Sequence, residues 1–431
     1  MKIIMNINYK KIATAAASLG LIAQATFPVL GSTTIEIVGN GAGSYNETNV
    51  GSTTETNVSQ SNTANIDNDV DVDANTGYND ANYNTGGDVA VLTGDADVAV
   101  NVVNDVNKNA AEVECCEAQD TNVLIEGNGA YSQNYTNLRT RTENNVDQNN
   151  DADIDNDVDV DANTGHNNAN LNTGSTEGDD SVAVLTGNAK VSVGLLNEAN
   201  TNMALISGDS EENPWVGLHI IGNGAGSWND INANLAKENN ISQDNDADID
   251  NDVDVDADTG YNDANFNTAA EVLIDTGYGD GGADVTAFVV NDVNFNYANI
   301  DCGCGWDVFA KIAGNGAEPY GDREESGNVI DLRLASLRNY DQGNDADLDN
   351  DLEDLDAKTG KNDANSNVGS VEGSDPAVLT GDAYADAYVE NSGNSNVIGA
   401  FELPDFDWDF DHDFDWDFDM SAFWALFGMS V

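Results

Sequence analysis

The stretch Asp67-Asn68-Asp69-Val70-Asp71-Val72-Asp73-Ala74 occurs four times in this chain of 431 residues. It returns at 155–162 and 250–257, and in a looser form at 349–357. Its period is two. A β-strand turns successive side chains to opposite faces, so each copy reads as a strand with carboxylates on one side and Val and Ala on the other. Helix is not expected, because the apolar period is two, Val and Thr are plentiful and Gly interrupts the pattern repeatedly.

Around each copy lies a longer repeat. Gly-Asn-Gly-Ala opens four units at Gly39, Gly127, Gly222 and Gly314, in steps of 88, 95 and 92 residues. A polar stretch then ends in Gln60, Gln148, Gln243 or Gln342, and the acidic strand follows. Next comes Thr76-Gly77-Tyr78-Asn79-Asp80-Ala81-Asn82-Tyr83-Asn84, matched at 164–172, 259–267 and 359–367. Each unit closes on alternating apolar residues such as Val98, Val100 and Val102. The resulting division is a leader at 1–25, units at 35–121, 122–216, 217–308 and 309–403, and a tail at 404–431.

A fixed long period points to a repeat architecture. The expected fold is all-β: a β-solenoid or β-helix built from four units of about 90 residues. Thr-Gly recurs 17 residues apart, at 76–77 and 93–94, which predicts short coils of two or three strands. Asn and Gly, which tolerate positive φ, are expected at the corners. Small inward residues, mainly Val and Ala, would fill a narrow core. The alternative is four tandem β-sandwich domains, since about 90 residues also suits a sandwich.

Composition narrows the partners. There are 14 Lys and Arg against 78 Asp and Glu, a formal charge of −64. Nucleic acid and anionic membranes are poor partners for such a surface, while divalent cations and basic or mineral surfaces are good ones. Lys10 and Lys11 followed by the apolar run 12–23 and Ala23-Gln24-Ala25 read as a secretory signal cleaved near Ala25. No later segment reads as a transmembrane helix, so a secreted, extracellular or cell-surface protein is expected. Export favours oxidised cysteines, and Cys115, Cys116, Cys302 and Cys304 are the disulfide candidates, with three pairings open.

No catalytic constellation is present in the sequence, and an enzyme is not expected. The candidate metal ligands are the repeated acids: Asp67, Asp69, Asp71 and Asp73; Asp155, Asp157, Asp159 and Asp161; Asp250, Asp252, Asp254 and Asp256. Carboxylate oxygens suit calcium, but the pattern is not an EF-hand: Ala162 stands where that loop needs Gly. Alternate carboxylates on one strand stand about 6.7 Å apart, too far for tight chelation, so weak cation binding shared between strands is the expectation. Asn79, Asn82 and Asn84 and their matches serve either turns or stacked amide ladders.

The segment Gly77-x-Asn79-x-Ala81 resembles curlin repeats in style, over about ten residues per unit, within a broader resemblance to Asp/Asn-rich repeat surface proteins of bacteria. The curlin family spaces these residues differently and relies on Gln. The resemblance implies a self-assembling β fibre subunit. In the tail, Phe406, Trp408, Phe410, Phe414, Trp416 and Phe418 alternate with Asp, giving an aromatic face that reads either as a capping strand or as an assembly segment. The functional expectation is a structural surface or matrix protein that forms homo-oligomers or joins envelope and matrix components. The alternative is a calcium-dependent adhesin or ion-binding module.

Overall fold

A computed structural model describes residues 23–25, 32–114, 120–174, 180–208, 214–277, 282–302, 305–316, 327–352, 354–368 and 377–399. Every described regular element is a β-strand, and the chain is a parallel β-solenoid in which each sequence unit forms one coil. A coil contains four strands. The opening strand is Thr33–Val38 in coil one, then Thr121–Glu126, Trp215–Ile221 and Asp307–Ala313. The long strand is Tyr45–Asn75, then Gln133–Asn163, Trp228–Asp258 and Gly327–Asp351, the last continued by Leu355–Lys358. The short strand is Val89–Leu92, then Ser181–Thr186, Glu271–Thr276 and Ala377–Thr380. The return strand is Ala96–Glu114, then Ala189–Ser207, Gly282–Asp301 and Asp382–Ile398.

Like strands of successive coils pair in parallel, giving four sheets. The long strand of coil one has 31 residues, about 100 Å of extended chain. Its register is uninterrupted: Asp67 faces Asp155, Asp155 faces Asp250, and Asp250 faces Asp349. The looser fourth copy has a local cause. From Asp252 to Val255 is three steps, whereas their partners Asp351 and Leu355 are four apart, so coil four carries one extra residue there.

Each coil is a flattened loop. Its long strand faces the return strand, which runs back along it, with Val158 and Val160 meeting Val191 and Val193. The opening strand covers the beginning of the long strand, where Ile125 and Leu218 meet Leu138 and Leu235. The short strand packs on Ala169 and Ala264 of the adjoining turn. Burial on this scale supplies the main driving force for folding.

The architecture decides against tandem sandwiches. Two layers do face each other, but hydrogen-bonded neighbours within a layer come from different units. It also corrects the coil length. Thr76-Gly77 and Thr93-Gly94 lie in one coil and meet across it, Thr76 Oγ1 donating to Gly94 O at 2.9 Å. The 17-residue step spans a turn and the short strand, not a circuit.

The corners require a second correction. Positive φ falls on Gly39 and Asn107 and their matches, as expected, but also on Tyr78, His166, Tyr261 and Lys361, and on Tyr83, Leu171, Phe266 and Ser366. Gly77 itself is needed for closeness rather than φ. A Cβ there would run into the carbonyl oxygen of Gly165 in the next coil, and Gly165 and Gly260 are constrained in the same way by the coil after them. Stacking, more than turn chemistry, explains this glycine.

Candidate functional site

The repeated acids lie on the outer face of the long sheet. Eleven of the twelve candidate ligands are exposed; Asp256 is half-buried. Backbone register sets them in columns: Asp67 with Asp155, Asp250 and Asp349; Asp69 with Asp157, Asp252 and Asp351; Asp73 with Asp161, Asp256 and Asp356. Asp71, Asp159 and Asp254 form another. Strands in a sheet are about 4.8 Å apart, so column neighbours are closer than the about 6.7 Å between alternate residues of one strand. The result is a flat carboxylate grid.

At Asp161, Asp250, Asp252 and Asp254, loss of water and then neighbouring carboxylates raise the pKa. Partial loss of water, then the charges of Asp349 and Asp155, hold Asp250 above the usual carboxylate range. Partial loss of water and then Asp157 and Asp351 do the same for Asp252. Lys358 relieves one corner, its ammonium 3.0 Å from Asp256 and 2.8 Å from Asp356. Burial by itself would lower the lysine pKa, but its bonds to Asp356 and Asp256 outweigh that and raise it. Among the described residues, no three His, Cys, Asp or Glu side chains converge as a metal-binding group. The carboxylates lie side by side on a flat face, not around a closed cage.

The inner face is different from the Val and Ala core read from the sequence. Val and Ala are there, but so are large Ile and Leu residues and a buried layer of amides. Asn156, Asn197, Asn251 and Asn291 are wholly buried. Each of these four amides bonds both along and across the fold. Asn156 Nδ2 donates to Asn251 Oδ1 in the next coil at 2.7 Å, and to Asn197 Oδ1 on the facing strand at 3.2 Å. Fully paired amides tolerate burial; an orphaned one would cost about 1–3 kcal/mol. The ladder reading of Asn79 also holds: Asn79 donates to Asn167, Asn167 to Asn262, and Asn262 to Asn362.

Two further columns were not singled out in the sequence. Asp105, Glu198, Asp292 and Ser392 share one register position on the return sheet. Lys108 pairs with Asp105 and lies 3.7 Å from Glu198. Burial drives the Glu198 pKa up to about 7, with Lys108 opposing and Asp105 and Asp292 reinforcing. The only signal available beforehand was one acid at matched positions of three units. The second column is aromatic: Tyr78 stacks on His166 and His166 on Tyr261, both with ring centroids 4.7 Å apart, and Lys361 sits 4.5 Å over Tyr261.

Cys302 is buried and disulfide-bonded. Cys115, Cys116 and Cys304 lie outside the described residues, as do the assembly candidates from Phe406 to Phe418 and most of the leader. Ala23–Ala25, at the expected cleavage site, pairs with Ala111–Val113 of the first return strand. Among the described residues no helix is long and apolar enough to cross a membrane. No protein-family model matches the chain, nor does any curated protein or solved structure.

Proposed function

We propose that this chain is a secreted structural protein of a cell surface or extracellular matrix, a self-assembling acidic β array. The observation that carries the reading is the in-register repetition of one coil with both outer edges of its long sheet left open. Among the described residues, neither Tyr45–Asn75 nor Gly327–Asp351 has a partner strand on its outer side. No described strand contains proline, a residue that commonly blunts such edges. Long edges free of proline favour addition of further strands, and a coil of the same pattern is the best complement. The identical acids repeated from coil to coil suit a surface rather than one reaction centre.

A second reading, a calcium-dependent adhesin or ion-binding module, draws on the carboxylate grid. The two readings join if cations neutralise the grid and permit assembly, because like charges in adjoining columns oppose close packing of copies. Both are tested by light scattering and electron microscopy of the full chain, with and without calcium and chelator, alongside circular dichroism. Assembly into regular particles supports the structural role, and calcium dependence supports the cation role. A chain that stays monomeric under every condition would sink the structural reading. Indifference to calcium and chelator would sink the cation reading.

A further inference from the structure

Each amide ladder between coils has a direction, and the more exposed one through Asn57, Asn145, Asn240 and Asn339 runs from later coil to earlier. Eight inner Asn ladders run through all four coils, and at every step Nδ2 of one coil donates to Oδ1 of the coil after it, at 2.7–3.1 Å. Coil four therefore ends these ladders on the donor side, and coil one begins them on the acceptor side. The inner Gln ladder runs the opposite way, Gln342 donating to Gln243 at 2.6 Å and Gln148 to Gln60 at 2.7 Å. Its last acceptor, Gln342 Oε1, is buried at coil four and has no hydrogen-bond partner among the described residues.

The glycines carry the same polarity. A Cβ on Gly77, Gly165 or Gly260 would strike the following coil, yet at Gly360, the matching residue of coil four, it would meet nothing within 4 Å. A Cβ on Gly129, Gly224 or Gly316 would strike the preceding coil, yet at Gly41 of coil one it would again meet nothing within 4 Å. Both end units are strongly acidic, at 20 acids to 6 bases in 309–403 and 16 to 1 in 35–121, but the bases are unevenly placed. The fourth unit, 309–403, holds six of the chain's 14 Lys and Arg, while the first, 35–121, holds Lys108 alone. In continued register, Lys361 would cap the ring of Tyr78 as it caps Tyr261, and Lys358 would approach the column headed by Asp73.

We propose that coil four of one copy docks on coil one of a second copy, in the register that already joins successive coils and with Ala23–Ala25 displaced from Ala111–Val113, so that the array grows as a polar head-to-tail stack. The proposal rests on the assembly reading above and names its interface. Donors meet acceptors in this arrangement; coil four against coil four would set donors against donors. A repeated heterologous contact of this kind gives an open filament.

The test uses three variants of the full chain, Gly360→Val, Gly41→Val and Asn394→Asp, with size distributions from analytical ultracentrifugation. Gly360 and Gly41 have ordinary φ and open space, so their variants are expected to keep the parent's circular dichroism and melting temperature. Asn394→Asp retains the acceptor used by Asn294 Nδ2 and exchanges the outward donor for a carboxylate. Each glycine variant alone is expected to remain monomeric, and an equimolar mixture of the two to stop at dimers, since one intact coil four meets one intact coil one. Asn394→Asp should assemble at least about tenfold more weakly than the parent. Parent-like assembly by Gly360→Val overturns the interface while leaving self-assembly itself standing; so does dimerisation of Gly41→Val alone, which would mean coil four meeting coil four. Association that appears only on deleting 404–431 and is then blocked by Gly360→Val would assign coil four of the parent to the chain's own tail and overturn the stack. A parent chain that never associates overturns this proposal together with the assembly reading.

Discussion

Coils two and three and coils one and four are written in nearly the same residues, yet they differ in environment. Ile154 and Ile249 are about fully buried, at 1% and 0% exposure, while their counterparts Ile66 and Leu348 are only partly covered. Val158 and Val253 are inaccessible, whereas Val70 is half-open. The inward face of a strand covers only part of its neighbour; the coils above and below complete the enclosure. Stability in such arrays is a property of interfaces between repeats rather than of each repeat alone.

That contrast yields its largest expected effect at the close-approach glycine. Gly260→Val forces a side chain into the Gly360 carbonyl and should cost about 3 kcal/mol or more in denaturant unfolding, whereas Gly360→Val should leave the monomer unchanged. Equal losses at both sites would break the distinction between inner and end coils. Next, Ile249→Ala should cost about 3 kcal/mol and Ile66→Ala nearer 1 kcal/mol, because the end site is partly solvated already.

A pH effect should follow from the return sheet. Glu198 has a folded pKa of about 7, above its ordinary 4.5, so between those values the folded chain binds more protons than the unfolded one. Stability from this group is present below about pH 4.5 and is lost as pH rises through 7. Burial raises the Asp292 carboxyl too, adding in the same direction. Glu198→Gln should flatten that dependence and raise stability at pH 8 by up to about 3 kcal/mol. Melting curves across pH 4–8 that are parallel for parent and variant would refute the assignment. The smallest contrast is in the amide layer: Asn251→Ala orphans buried partners and should cost about 2 kcal/mol, against 1 kcal/mol or less, roughly, for Asn350→Ala at the open end.

Much of the site was readable from the order of residues. The alternation from Asp67 to Ala74 predicted strand, outward carboxylates and inward Val, and each is found. The amide layer was harder to see, since Asn68 occupies a core position in a segment that looks like a polar surface. Asn is commonly a turn residue, and nothing local distinguishes a buried amide from a solvated one. Its burial becomes tolerable only when Asn104 and Asn156 stand opposite and below it. The Glu198 column was hidden for a related reason, as its pKa depends on Lys108 and Asp292 more than 85 residues away.

The sequence by itself determined the strand, its two-sided character, the four units and the surface charge, because these follow from side-chain alternation and repetition along one chain. Tertiary structure alone decided that a whole unit makes one coil, that Gly77 is required by a neighbouring carbonyl, and that each amide ladder keeps one direction through all four coils, eight inner Asn ladders one way and the Gln ladder the other. Those properties belong to the spacing between coils, where residues 88 to 100 positions apart come within hydrogen-bonding distance. Periodicity places a side chain on a face, but the register between coils decides what it touches.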